Sequence, residues 1–153
     1  MTNNILVPID GSPLSNRALE HAFDEYDDVS VVALHVIDPT DPGYSSATNV
    51  DVRNEPLHGS EAWYDRAHDI EAQLFDEARE LAADADGDLS TEGAVGEPAR
   101  EIVDYAEAHD IDEIAIGSHG RSETSRTLLG SVAELVVRRS PVNVTVVRDS
   151  KRR

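Results

Sequence analysis

Short apolar runs are spaced along the whole chain and predict five β-strands. The second run, SVVALHVI, is apolar apart from Ser30 and His35, which suits a strand covered on both faces of a parallel sheet. Inside such a strand, His35 is expected to be a hydrogen-bonded core residue rather than a ligand. The five runs are Asn4–Ile9, Ser30–Ile37, Leu89–Val95, Asp112–Ile116 and Val142–Val147.

Four segments between these runs have apolar residues three or four positions apart, which is the spacing of an amphipathic helix. The helices are expected to begin near Leu14, Trp63, Pro98 and Leu128. Trp63 belongs to the apolar stripe of the second helix, so its default role is packing. Pro98 suits a first helical position, because the N–H of that position has no intrahelical acceptor and proline therefore costs the helix no hydrogen bond.

The order of strand and helix, repeated four times and closed by a strand, predicts an α/β fold. We expect a single-domain, open, twisted, five-stranded parallel sheet with four helices on both faces, of the Rossmann-like kind. Residues 1–150 would form this nucleotide-binding domain, residues 38–60 a long loop or lid within it, and residues 151–153 a tail. Ligands bind such sheets outside the carboxyl ends of the strands, where Asp10, Ile37 and Gly117 would meet.

The segment after the fourth strand, GSHGRSETSRTLLGS, contains glycines in the pattern Gly-x2-Gly-x9-Gly-Ser. Glycine lacks a Cβ, so backbone N–H groups can approach an anion closely. The N–H groups and the dipole at the start of the following helix also favour negative charge. The pattern therefore predicts a phosphate site and a bound nucleotide. Two structural alternatives stay open: Gly117 and Gly120 would serve a tight turn, and Gly130 would allow a helix to pack closely on the sheet.

Acidic residues dominate the charge of the chain. The net charge is −18, from 31 acidic residues against 13 basic ones. The basic residues are twelve arginines and a single lysine, Lys151. Salt screens the self-repulsion that such a charge produces, so we expect adaptation to the salt-rich cytoplasm of a halophile. An ordinary acidic protein is the alternative. Nucleic-acid binding is disfavoured because no basic face is available to neutralise phosphates.

The remaining composition limits the compartment and the chemistry. The 153 residues suit one domain, and the chain contains no cysteine, which excludes disulfides and thiolate chemistry. No apolar run approaches the roughly 20 residues that a membrane helix needs. The start, MTNNILVPID, lacks the basic region of a signal peptide. We therefore expect a cytoplasmic protein that does not enter a membrane.

Several segments together resemble the universal stress protein family, and the resemblance covers nearly the whole chain. Near the start they are ILVPIDGS and LHVID, and later they are GEP at positions 96–98, IAIGSHGRS and LLGSVAELVVRRSPVNVTVVR. The resemblance implies the Rossmann-like fold of the adenine nucleotide alpha hydrolases. The full glycine spacing resembles the ATP-binding branch of the family.

The resemblance also implies a nucleotide site assembled from four places in the chain. The end of the first strand would lie along the adenosine, the backbone at the end of the second would meet the adenine, the end of the fourth would line the ribose, and the glycine loop with the next helix start would hold the phosphates. In that order, the residues are Pro8, Ile9 and Asp10; Val36; Ile116 and Gly117; and His119, Gly120, Arg121, Gly130, Ser131 and Val132. Asp10 is also the candidate contact to a phosphate-bound Mg²⁺ or Mn²⁺. A structural alternative is that Asp10, Gly11 and Ser12 form only a turn and a helix cap.

Taken as a family member, the chain is expected to be an ATP-binding, nucleotide-responsive homodimer of the stress response, with ADP or AMP as other ligands. The strand Val142–Val147 is expected at a sheet edge, where a second copy can pair with it. Because a Walker A pattern and a candidate base are absent, we expect no catalytic residues and little or no ATP turnover. The alternatives are a dimerising interaction module that does not bind nucleotide, and a slow ATPase.

Overall fold

The computed structural model describes residues 2–40, 60–119 and 129–148. In these ranges strands and helices alternate as the sequence predicts. None of the helices there is both long enough and apolar enough to cross a membrane. In chain order, the elements are β1 (Asn3–Pro8), α1 (Pro13–Glu25), β2 (Val29–Ile37), α2 (Glu61–Asp84), β3 (Asp88–Val95), α3 (Pro98–Ala108), β4 (Glu113–Gly117), α4 (Ser131–Arg139) and β5 (Asn143–Val147).

The five strands form one parallel sheet in the order β3-β2-β1-β4-β5. The chain builds the sheet outward from β1 through β2 to β3, and then returns to place β4 on the other side of β1. The strand order therefore reverses between β1 and β4, the place where open α/β sheets bind ligands. The predicted parallel sheet is confirmed, and β5 lies at its edge as expected.

Helices cover both faces of the sheet. Helices α1 and α2 pack on one face, and α3 and α4 pack on the other. Neighbouring side chains of a strand point to opposite faces, so Ile5 and Val7 of β1 face α1 and α2, whereas Leu6 faces α3 and α4. All three side chains are buried, and burial of each contributes roughly 1.5–3 kcal/mol. Coverage on both faces explains why the strands are apolar at consecutive positions.

Helix α2 ends at the predicted turn signal, Asp86-Gly87-Asp88. The backbone of Asp86 has φ 53°, in the left-handed region, and the Gly87 N–H donates to the Ala82 carbonyl at 2.8 Å. A Cβ at Gly87 would overlap the ring of Phe23 in α1. The glycine therefore serves the packing of the turn against α1.

Helix α4 begins later than its apolar pattern predicts. The apolar spacing extends back to Leu128, but the helix begins at Ser131 with Gly130 as its N-cap residue, where the glycine pattern predicts its start. Gly130 has φ −67° and ψ 165°, so its backbone is extended rather than helical. Leu129 precedes the helix, and Leu128 lies outside the described residues. The spacing of apolar side chains could not reveal this interruption because it is a property of the backbone.

A part-buried carboxylate ties α1 to the sheet. Glu113, the first residue of β4, accepts hydrogen bonds from the hydroxyl groups of Tyr26 and Thr145. The hydrogen bond to Glu113 raises the pKa of Tyr26 to about 12, with smaller contributions from burial and from the charges of Glu113 and Glu25. The fold therefore favours the neutral phenol of Tyr26.

We expect Tyr26→Phe to lower the free energy of unfolding by about 1 kcal/mol near neutral pH, because the variant loses this hydrogen bond. The contribution of this hydrogen bond to the free energy of unfolding should be fully present below the ordinary tyrosine pKa of 10.0. It should disappear as the pH rises toward 12, where the phenol ionises in the folded protein too. Urea unfolding of both proteins at about pH 8 and about pH 11 measures the difference. Tyr64→Phe is the matched control, and a difference that does not change with pH would contradict the assignment.

Candidate functional site

The turn after β1 is organised by its own polar side chains. Asp10 is buried, and its Oδ1 accepts a hydrogen bond from the Ser12 N–H at 2.9 Å. Ser12 is the N-cap of α1 and accepts from the Ser15 N–H at 3.2 Å. Gly11 has φ 82°, a conformation that favours glycine. The structure therefore shows the turn and helix cap, and this turn also fixes the Asp10 carboxylate at the carboxyl end of β1.

Strand β2 extends past β1 at this edge of the sheet. Its pairing with β1 ends at Pro8 and Leu34, followed by a hydrogen bond of 2.9 Å from the Ile9 N–H to the Leu34 carbonyl. Its pairing with β3 continues to Ile37. Backbone groups of alternate residues point to the same side of a strand, so the N–H and C=O of Val36 point toward the β1 side, as those of Leu34 do. They lie beyond the last paired residue of β1.

Only the backbone of Val36 is suited to meet a ligand at this place. Its side chain is buried in the core beneath α3, where it packs with Ile102. The next side chain, that of Ile37, is buried on the opposite face of the sheet beneath α2. The end of β2 is therefore anchored on both faces while its backbone edge faces the end of β1.

A second buried carboxylate follows β2. Asp38 Oδ1 accepts hydrogen bonds from the N–H and the hydroxyl of Thr40, at 2.8 and 2.7 Å. Asp10 and Asp38 thus follow two neighbouring strands, and each accepts a hydrogen bond from the N–H two residues further on. The carboxyl edge of the sheet carries negative charge on both strands.

Gly117 ends β4 against the first turn of α1. A Cβ at this position would lie 2.8 Å from the Leu14 Cβ and 3.0 Å from the Leu14 carbonyl carbon. Backbone atoms of a helix cannot yield without moving the helix, so the position requires glycine for packing. Ile116 before it is buried in the core beneath α3 and α4. The tight-turn alternative for Gly117 is therefore replaced by close packing of a helix on a strand.

Ser118 closes the base of the glycine loop. Its N–H donates to the Val147 carbonyl at 2.8 Å, and its carbonyl accepts from the Gly130 N–H at 2.6 Å. These two bonds fix both ends of the loop beside β5. The Ser118 Oγ lies 3.1 Å from Nδ1 of His119, which is half-buried.

The start of α4 differs from the starts of α1 and α2. Ser12 and Ser60 cap those two helices through their side-chain oxygens. Gly130, the N-cap residue of α4, has no side chain and provides no such hydrogen bond. The first N–H groups of a helix lack intrahelical acceptors. Glu97, the N-cap residue of α3, also makes no such bond. The N-cap side chain therefore caps α1 and α2 but neither α3 nor α4, whose first turn contains Ser131 and Val132.

The chain topology brings most of the sequence-predicted residues to the β1–β4 switch point. The ends of β1, β2 and β4 and the start of α4 supply Pro8, Ile9, Asp10, Val36, Ile116, Gly117, His119, Gly130, Ser131 and Val132. Gly120 and Arg121 lie outside the described residues. Sequence reasoning did not select Ser118 or Asp38. Both are short polar residues directly after a strand, and that position was the available signal.

Within the described ranges, no group of three or more His, Asp or Glu side chains is arranged to hold a metal ion. Asp10 supplies one buried carboxylate at the switch point. Magnesium in proteins commonly combines one or two carboxylates with phosphate oxygens and water. Asp10 therefore fits an ion that arrives with phosphates and does not form a metal site by itself.

Solved structures share this fold over nearly the whole chain. The universal stress protein UspA of Lactobacillus plantarum superposes with a TM-score of 0.73 at 30% identity, over 95% of this chain and 97% of that one. The universal stress protein of Archaeoglobus fulgidus in complex with dAMP gives 0.65 at 19% identity, over 96% and 98%. An Arabidopsis thaliana family protein with AMP bound gives 0.66 at 13% identity, over 97% and 93%. The last two share too little sequence to show more than the fold.

The sequence itself matches a known family from end to end of the described fold. A universal stress protein of Methanocaldococcus jannaschii is 32% identical over 154 residues, which cover 97% of this chain and 83% of the relative. The profile of the universal stress protein family matches residues 1–148, which include every strand and helix described above. The chain therefore belongs to the universal stress protein family.

Proposed function

We propose that this protein binds an adenine nucleotide, with ATP as the expected ligand and ADP or AMP as alternatives, at the switch point between β1 and β4. The observation that carries the proposal is the start of α4, whose N-cap glycine leaves the first turn without a side-chain cap. Family structures solved with AMP and with dAMP support the adenosine part of the proposal.

The phosphate end of the proposed site is the start of α4. The helix dipole at this start, equivalent to roughly half a positive charge, favours an anion beside Ser131 and Val132. The Gly130 N–H is already bonded to the Ser118 carbonyl, so it positions the cradle instead of binding phosphate. His119 stands next to this bond. Gly120 and Arg121 are expected to complete the phosphate contacts.

The adenosine end is the gap past the end of β1. The N–H and C=O of Val36 offer one donor and one acceptor on the same strand edge, which complements the ring nitrogen and the amino group of adenine. Guanine presents the reverse order of donor and acceptor, so this edge would discriminate against it. Asp10 would accept hydrogen bonds from ribose hydroxyls or contact a phosphate-bound Mg²⁺ or Mn²⁺, and Pro8 and Ile9 would line the sugar.

We expect binding with little or no turnover. A fast NTPase positions the attacking water with a dedicated side chain, for which the sequence offers no candidate, and the core of this chain offers no lysine to the phosphates because Lys151 is the only one. Single-turnover measurements with labelled ATP test this expectation. Assays belong in concentrated KCl, because we propose that a net charge of −18 reflects work in a salt-rich cytoplasm.

One observation favours the alternative of a dimerising module without nucleotide. Gly117 is required by the approach of Leu14 whether or not a ligand binds, so this part of the glycine pattern is explained by packing. The capping of α4 is not explained in that way. Substitutions at Gly130 therefore distinguish the two functions better than substitutions at Gly117.

The dimer itself is proposed to form through β5. This strand lies at the edge of the sheet, and its residues are only half-buried apart from the exposed Asn143. The Val147 carbonyl bonds to the Ser118 N–H on the β4 side, so Val144 and Val146, which alternate with Val147, direct their N–H and C=O groups outward. An edge with unpaired groups invites an antiparallel strand from a second copy.

We expect Gly130→Ser to weaken nucleotide binding while leaving the fold as stable or slightly more stable. A serine at an N-cap with extended backbone caps its own helix, worth a few tenths of a kcal/mol over glycine, and its hydroxyl would compete with phosphate for the same N–H groups. Equilibrium dialysis with ATP and AMP measures affinity, and thermal unfolding without ligand measures stability.

Gly130→Val is a second variant for the same experiment, because its side chain would fill the proposed phosphate site at the start of α4 without capping the helix. It should abolish binding. Ser90→Val, at an exposed position of β3, is the control that adds the same side chain elsewhere. Unchanged affinity in both Gly130 variants would reject the nucleotide site, and binding to wild type with these losses would reject the module alternative.

For the dimer, we expect Val144→Pro to yield a folded monomer of 16.7 kDa where the wild type has twice that mass. Proline removes the outward N–H but spares the ladder to β4. Val144→Thr keeps the N–H and should remain dimeric. Sedimentation equilibrium measures the mass, and a monomeric wild type or a dimeric proline variant would rule out pairing through β5.

A further inference from the structure

A charged residue interrupts the apolar face of α2. The buried side chains of this helix recur at the expected spacing, and the one charged member among them is Glu71. Its Oε2 lies 2.7 Å from Nδ1 of His35, which is fully buried in β2. Its Oε1 lies 3.6 Å from Nδ1 of the exposed His68. The sequence prediction that His35 is a hydrogen-bonded core residue is confirmed, and its partner is a carboxylate.

Gly93 makes room for this pair. It stands opposite His35 in the β2–β3 register, and a Cβ there would lie 2.8 Å from Oε1 and 3.0 Å from Oε2 of Glu71. The glycine has no positive φ, so the conformation of the strand does not require it. The carboxylate occupies the space that a side chain at Gly93 would take.

The pair divides the core beneath α2 into two parts. Toward the C-terminus of the helix, Leu74 and Ala78 join the large cluster that includes β1, β2 and α1. Toward the N-terminus, Trp63 and Ala67 pack with Ile37 in a separate cluster, whose buried members among the described residues are these three, with the part-buried Tyr64 against them. His35 lies between the two clusters along β2. Ile70 packs against the large cluster; among the described residues, the rest of the N-terminal half of α2, residues 61–70, is held by the small cluster and by the His35–Glu71 pair.

This pair is less costly to open than an apolar contact of the same area. Nε2 of His35 is buried and has no hydrogen-bond partner among the described residues. A buried polar atom without a partner loses the hydrogen bond that water would provide. Opening of the N-terminal half of α2 would hydrate this nitrogen and both members of the pair. Regions with few buried apolar contacts are the ones that open locally.

The small cluster adjoins the proposed nucleotide site through one residue. Ile37 holds Trp63 and Ala67 on one face of the sheet, and the preceding residue, Val36, offers its backbone to the adenine. A ligand that fixes the end of β2 also fixes Ile37. Any ligand that binds better when Ile37 is packed must, by linkage, stabilise that packing by the same factor.

We propose that the N-terminal half of α2 is a separately opening unit, latched to β2 by Glu71 and His35, and that nucleotide at the Val36 edge closes it. The coupling to nucleotide rests on the proposed function, whereas the latch does not. The unit provides the nucleotide response: ligand at the backbone edge of β2 changes the population of a helical segment that packs on one face of that strand.

Hydrogen exchange of the ligand-free protein tests the latch alone. We expect the amides of residues 66–70 to be protected at least about tenfold less than those of residues 75–82. Saturating AMP should raise protection at residues 66–70 and leave residues 75–82 unchanged. Trp63 is the only tryptophan of the chain and is 2% exposed, so quenching of its fluorescence by acrylamide reports the same opening.

Two variants should move the unit in opposite directions. In Gly93→Ala the new Cβ displaces the carboxylate of Glu71, and protection of residues 66–70 should fall, with Ser90→Ala on the same strand as the control. In the double variant His35→Leu, Glu71→Leu the two clusters merge, since apolar replacement of both partners of a buried pair is tolerated. Protection of residues 66–70 should then approach that of residues 75–82, and the effect of AMP should vanish. Glu77→Leu, at an exposed position of α2, removes the same charge as a control.

Uniform exchange along α2 in the ligand-free protein would overturn the latch, and so would Gly93→Ala behaving like Ser90→Ala. AMP that binds in dialysis but protects both halves equally, or neither, would overturn the coupling and leave the nucleotide site standing. Absence of AMP binding would overturn the nucleotide site and the coupling together, while the ligand-free exchange still decides the latch. If the double variant does not fold, Gly93→Ala and its control decide the same question.

Discussion

The pairing of β1 with β2 on one side and β4 on the other is the constraint on which the rest of the structure depends. It places β1 at the centre, with both of its faces buried, and makes the strand order reverse beside it. Because all strands are parallel, their carboxyl ends share one edge, and the polar turns after β1, β2 and β4 are brought together there. Residues distant in sequence, such as Asp10 and Ser118, come to the same edge of the sheet in this way.

Much of the fold follows from apolar spacing, since a side chain covered on either face of a strand or on one face of a helix must be apolar. Element order, the edge position of β5 and the core roles of His35 and Trp63 could be predicted on that basis. The start of α4 does not follow from apolar spacing, because Leu129 continues the helical pattern while Gly130 keeps an extended backbone, and it was the glycine pattern that predicted it. Apolar spacing predicts which side chains are buried, but it does not predict the backbone conformation at those positions.

The candidate site was predictable in its location but not in the function of each residue. Gly117 fits a phosphate pattern, yet the space for its Cβ is filled by Leu14. Gly93 lies outside any pattern, yet it accommodates the carboxylate of a residue 22 positions earlier in the chain. Each glycine makes room for a residue of another element, and such contacts between elements distant in sequence cannot be seen in the sequence pattern. The sequence carried two signals for the buried pair: His35 stands in an apolar strand, and Glu71 places a charge on an apolar helical stripe.

The helix starts show how one fold divides its polar groups between stability and binding. Helix α1 begins at the same edge as α4, but Asp10, Ser12 and Ser15 bond to one another and to its first turn. Those bonds stabilise the turn and leave its helix start less suited to an external anion. Gly130 gives α4 no comparable side-chain cap, so its first turn forgoes the few tenths of a kcal/mol that a serine would add over glycine. In an acidic protein the dipole at a helix start attracts an anion, and a capping side chain from the N-cap residue would compete with that anion.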